Sequence, residues 1–146
     1  MSDAPQHHGE HKIAIVLSAE LASGHAANVA ACIAAGLAAA QPGWAGLALA
    51  DAQGFRSASS SHLPIAVLRA EAPVLAALMQ RLAAEDEAAS GVVSLFPAYA
   101  QRVHNCEEYW ARHRAADHTQ EALLGVGLAG AKRWVNRLTG SMALWR

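Results

Sequence analysis

Apolar residues along the chain gather in short blocks, and the period inside each block separates strands from helices. Residues 12–18, KIAIVLS, form a continuous run rich in Ile and Val, which predicts a buried, central strand. From about His25 to Ala39, Val29, Ile33 and Leu37 recur at four-residue steps, the stripe of a helix. Gly36 and the many alanines suit a helix lying close to a sheet. QPGW at 41–44 breaks the chain. AGLALAD at 45–51 reads as a short strand closed by the turn DAQG, and FRSASSSHL at 55–63 as a loop. PIAVLRA at 64–70 is a strand with Pro64 at its first position, where a missing donor is tolerated. Pro73 opens a helix with Leu75, Leu78, Met79 and Leu82 as its stripe. GVVSLFP at 91–97 is another strand. Residues 98–121 carry no clear period, and Tyr109 and Trp110 sit there in a His- and Arg-rich segment read as helical. ALLGVGLAG at 122–130 is a strand whose glycines permit close backbone approach. A closing helix turns Trp134, Val135 and Leu138 inward and stops at Gly140, expected at positive φ, and the tail beyond adds an edge element.

Strands alternating with helices predict an α/β layered sheet. There is no internal repeat. The expected organisation is a flexible tail over residues 1–10 and a single α/β domain over 11–146.

Composition agrees with a globular chain: 53% of the 146 residues are hydrophobic and 16% charged. Aromatic residues are only 5%, so burial falls on few Leu, Ile, Val and Trp side chains. A net charge of −1 gives no global field for nucleic acid or membrane. The charge is uneven, at −4 through Gln101 and +3 from Arg102 onward, a basic surface that reads as solvated. Cys32 and Cys106 share no motif and read as reduced thiols of a cytoplasmic protein. The run Ala26–Ala40 reads as too short and Ala-rich for a bilayer, and the N-terminus lacks a signal peptide's apolar core. No membrane association is expected.

KIAIVLSAELASGHAANVAAC and GLAGAKRWVNRLTGSMAL, taken together, resemble the two ends of the archaeal and eukaryotic type of peptidyl-tRNA hydrolase. The matching residues are Lys12, the pair Glu20-Leu21, Gly24, Ala30-Ala31-Cys32, Gly130-Ala131, Val135, Leu138-Thr139-Gly140, Met142 and Leu144. The resemblance implies a three-layer α/β/α fold with a mixed sheet of about four strands, of the type II peptidyl-tRNA hydrolase kind. It also implies a cleft holding Lys12 and Thr139. Two departures stand out. Where those hydrolases run from the third strand into Asp-Ala-Gly-Arg-Thr-Gln, this chain has FPAYAQ, so Phe96 or Pro97 replaces the active-site Asp and only Gln101 is retained. SGHAAN replaces a lysine-rich turn, removing charges that would hold phosphates. The chain more closely resembles a bacterial family of unknown function distantly related to these hydrolases, with its Asn28-type helix opening, DAQG-type turn and Tyr-containing insertion.

The candidate residues follow. Lys12 and Thr139 are the catalytic candidates; a cleft ammonium would polarise an ester carbonyl or hold a phosphate. Gly24, Asn28 and Gln101 are the ligand-binding candidates. Gly24 opens a helix whose N–H groups suit an anion, and Asn28 is a mediocre helix former within the first turns. His7, His8 and His11 belong to a tail that binds metal only incidentally, so no metal site is assigned. His104, His113 and His118 fit no ligand spacing, although His113 and Asp117 could share a helix face. Ser57, Ser59, Ser60 and Ser61 beside His62 lack a nucleophile elbow and read as a flexible loop. The function expected is a non-catalytic binding or assembly module; the alternative is a hydrolase acting on an acyl ester or a peptidyl-tRNA-like substrate. The partners considered are a small anion, an RNA-derived ligand and a second copy of the chain; no cofactor is expected.

Overall fold

A computed structural model describes residues 10–41, 43–85 and 91–146. The tail over residues 1–9, His7 and His8 included, lies outside the described residues.

Strand β1 (His11–Ser18) is the middle of the main sheet, and its alternation sets the layers. Ile13, Ile15 and Leu17 face one side, with helix α1 (Ser23–Ala40) laid over them through Val29, Ile33 and Leu37. Ala14 and Val16 face the other side. There they meet helix α2 (Ala72–Ala84) through Leu75 and Leu78, and helix α4 (Lys132–Thr139) through Trp134, Val135 and Leu138. The result is a three-layer α/β/α arrangement with a core on each face of the sheet.

The sheet is mixed and has five strands. β1 pairs in parallel with β4 (Ile65–Ala70) and antiparallel with β6 (Leu123–Ala131). β5 (Val92–Pro97) and β7 (Ala143–Leu144) form the edges, in the order β5-β6-β1-β4-β7. The fifth strand, beyond the about four expected, is the C-terminal tail, which pairs Leu144 with Leu68 and Ala143 with Arg69.

β6 explains how α1 sits so close. A side chain at Gly125 would start 2.7 Å from Ile33 Cδ1, and one at Gly127 would overlap Ile33 Cγ2. Glycine is needed at both positions to admit the helix.

Four expectations need correction. Residues 55–63 are not all loop: β3 (Arg56–Ala58) pairs with β2 (Ala48–Ala50) in a separate hairpin rather than in the main sheet. Strands three residues long, built of Ala, Leu, Arg and Ser, carry no alternation to read. Gly140 does not take positive φ; it is right-handed at φ −64°. Its glycine is required by crowding, because a Cβ there would lie 2.6 Å from the Asn136 carbonyl oxygen. Asp117 shares no helix face with His113, because helix α3 (Cys106–Ala115) ends first. Finally, α1 is longer than the run read as too short for a bilayer. It has 18 residues and a mean hydropathy of 1.3, enough for a membrane span by length and composition alone, but its apolar stripe is taken up by the sheet.

Candidate functional site

Three of the five candidate residues meet and two do not. The meeting point is an open cleft of about 590 Å³ lined by Gly24, His25, Asn28, Val29, Phe96, Ala100 and Gln101. Its walls come from two elements. The first turns of α1 supply Gly24, His25 and Asn28. The end of β5 and the 3-10 helix that follows it (Ala98–Arg102) supply Phe96, Ala100 and Gln101. Contact between α1 and β5 across the thinned β6 brings these walls together.

The α1 end of the cleft is electrostatically open. Ala22 stands at the cap without a side-chain hydrogen bond, and no acidic residue occupies the first turn. The first N–H groups of this 18-residue helix thus lack a side-chain cap, and the positive end of its dipole lies at the Gly24 end of the cleft. Among the described residues the His25 imidazole and the Gln101 amide have no hydrogen-bond partner, while the Asn28 amide oxygen accepts a weak bond from the Cys32 thiol at 3.9 Å. Among the described residues no carboxylate lines the cleft. Phe96 lines it with an apolar ring.

A second cavity of about 340 Å³, lined by Cys32, Ile33, Ser94, Leu95, Phe96, Ala100 and Tyr109, adjoins the first through Phe96 and Ala100. The two make a groove that is polar at the α1 N-terminus and apolar and aromatic toward α3.

Lys12 and Thr139 lie elsewhere. Lys12 shares its face of β1 with Ala14 and Val16, away from α1, and sits at the strand's start, opposite Gly130. Its Nζ donates to Asn136 Oδ1 of α4 at 2.7 Å, and no described carboxylate ion-pairs with it. Thr139 is buried, and its hydroxyl donates to the Val135 carbonyl at 2.7 Å, a bond inside α4. Both groups serve the α4 side of the core. The period-2 parity of β1 carried this signal, because Lys12 is in phase with Ala14 rather than with Ile13.

The serine-rich segment also has a structural role. Ser59 Oγ and His62 Nε2 are 2.6 Å apart, and His62 Nδ1 lies 3.0 Å from the Gly43 carbonyl. The same Ser59 oxygen accepts from the Leu47 N–H at 2.9 Å. This pair ties the base of the β2–β3 hairpin.

Chain position concealed one further cluster. Tyr99, from the 3-10 helix, is 2.7 Å from His118 Nε2 and lies beneath the Arg112 guanidinium at 4.9 Å. His113 stacks on His118 with centroids 4.2 Å apart, and Tyr109 stands 6.1 Å from Tyr99. Burial raises the pKa of both tyrosines above the ordinary range. Burial, then the neighbouring His113, lowers that of His118. These residues are 19 positions apart at the extremes, so no local spacing announces them.

The sequence profile described as "Protein of unknown function (DUF2000)" matches residues 11–146. No curated protein matches the sequence. Among solved structures, a protein of unknown function from Agrobacterium tumefaciens, Atu0240, superposes with a TM-score of 0.82 at 21% identity, over 94% of this chain and 98% of that one. At that identity the likeness establishes the shared fold.

Proposed function

The chain belongs to the DUF2000 family, proteins of unknown function, and from that premise we propose that it is a non-catalytic binding module whose ligand occupies the cleft at Gly24, Asn28 and Gln101. The observation carrying this reading is the convergence of those three residues, from two separate segments, on one concavity. The ligand class is a small anion, free or at the end of an RNA-derived molecule. The uncapped helix end favours negative charge, His25 adds a donor, and the amides of Asn28 and Gln101 supply orientation. The kinship with peptidyl-tRNA hydrolases is retained as a proposal about ancestry. In that framework Phe96 or Pro97 stands in place of the acid, and Phe96 lines the cleft. The hydrolase alternative is disfavoured because Lys12 and Thr139 are engaged on the α4 side, and because no carboxylate among the described residues lines the cleft to activate water. We place the protein in the cytoplasm, where the exposed thiols of Cys32 and Cys106 would stay reduced.

Titration with inorganic phosphate and with adenosine monophosphate, followed by amide NMR shifts, tests the reading. The expected shifts concentrate at Gly24, His25, Asn28 and Gln101, and Asn28→Ala weakens binding about fivefold. Shifts scattered over the surface, or none at millimolar ligand, would overturn it. Turnover of a peptidyl-tRNA or acyl-ester substrate that is abolished in Lys12→Ala would favour the hydrolase instead.

A further inference from the structure

Helix α3 has an unusual attachment. It buries no residue, and its sequence CEEYWARHRA carries two acidic groups in the first turn and Arg112, His113 and Arg114 in the last. It is held to the body through side-chain rings and one ion pair. Tyr109 approaches Tyr99, Arg112 covers Tyr99 and reaches Glu121 at 3.8 Å, and His113 stacks on His118. Tyr99, His118 and Glu121 belong to the body, on the 3-10 helix and the segment leading into β6; Tyr109, Arg112 and His113 belong to the helix.

We propose that the ring pair His113 and His118 is a pH-sensitive latch, in which protonation of His118 against its neighbour releases α3 and with it the Tyr109 wall of the groove. A cationic ring at His118 sits 4.2 Å, centroid to centroid, from the His113 imidazole, and the Arg112 guanidinium packed on Tyr99 adds positive charge to the same cluster. Glu121, paired with Arg112, and Asp117, whose carboxylate is taken up by the Thr119 N–H and hydroxyl, are the negative groups facing the cluster. Tyr99 and Tyr109 stay neutral throughout, since burial raises both pKa values. The sign follows from linkage. His118 is depressed when docked, so docking is favoured above the ordinary histidine pKa of 6.5 and is lost as pH falls through the lower, docked value. With α3 released, His118 takes up the proton that the docked cluster disfavours. The inference does not depend on what the groove binds.

Hydrogen exchange of the intact chain, corrected for the intrinsic pH dependence of exchange, tests the latch. Between pH 7.5 and pH 5, amides of residues 106–115 should lose protection, by up to about tenfold per pH unit for each proton taken up. Amides of β1 and β6 should keep theirs. His118→Gln should abolish the dependence, as should the double variant His113→Gln/His118→Gln. Should the variants fail to dock α3 at any pH, an NMR titration of the His118 ring in the wild-type chain decides instead. A midpoint below the ordinary histidine range, coincident with loss of α3 protection, supports the latch. Protection of α3 that ignores pH, persistence of the transition in the double variant, or a His118 midpoint at or above the ordinary value would overturn it.

Discussion

Helices α3 and α4 look alike by composition and are attached by opposite means. Each is short, rich in charged side chains and carries one tryptophan. α4 drives Trp134, Val135, Leu138 and Thr139 into the core; α3 fully buries no residue and only half-buries Tyr109, and its Trp110 is 53% exposed against 7% for Trp134. The difference lies in spacing. In α4 the apolar residues fall at positions 134, 135 and 138, one stripe, while in α3 Tyr109 and Trp110 are adjacent and no partner follows one turn later. A helix with a stripe is held by area. A helix without one is held by specific polar and ring contacts, which respond to protonation.

The sharpest way to break this contrast is the same substitution in both helices. Trp134→Ala should cost about 3–5 kcal/mol, read as a large drop in thermal midpoint. Next in size is Gly140→Val at the end of α4, where the new side chain would press on the Asn136 carbonyl. A loss of about 1–3 kcal/mol is expected, and unchanged unfolding would refute the crowding. Smaller again is Trp134→Phe, which keeps the ring but removes the 2.6 Å bond from the indole N–H to Glu85 Oε2, for about 1 kcal/mol in chemical denaturation. That bond, with Arg137, holds the Glu85 carboxyl below the usual range. The advantage of wild type over this variant should therefore be complete above the ordinary carboxylate pKa of 4.5. It should fade as pH falls through the lower, folded value. Smallest is Trp110→Ala on α3, expected within about 0.5 kcal/mol in the same measurement. A loss comparable to that of Trp134→Ala would mean that α3 has a buried face after all.

The contrast also marks what the chain discloses in one dimension. Layers, core and helix placement were legible because Ile13, Val29, Leu75 and Leu138 each belong to a periodic run. The β2–β3 hairpin was only half legible, since Arg56–Ala58 has the composition of a loop and becomes a strand only by pairing with Ala48–Ala50. The five candidate residues were legible as types, but their grouping needed the parity of β1 to be carried through. That parity sends Lys12 to Asn136 and leaves Gly24, Asn28 and Gln101 together. The stack of Tyr99, Tyr109, His113 and His118 was not legible, because it forms only when the chain reverses after α3 and returns His118 to the 3-10 helix.

The bare stretch of β6 at Gly125 and Gly127 also sets how closely α1, which carries one wall of the groove, approaches the sheet. A methyl group at either position would act as a shim beneath α1, tilting the helix outward and altering the gap between Asn28 and Gln101. If the proposed ligand binds there, its fit depends on residues that never touch it.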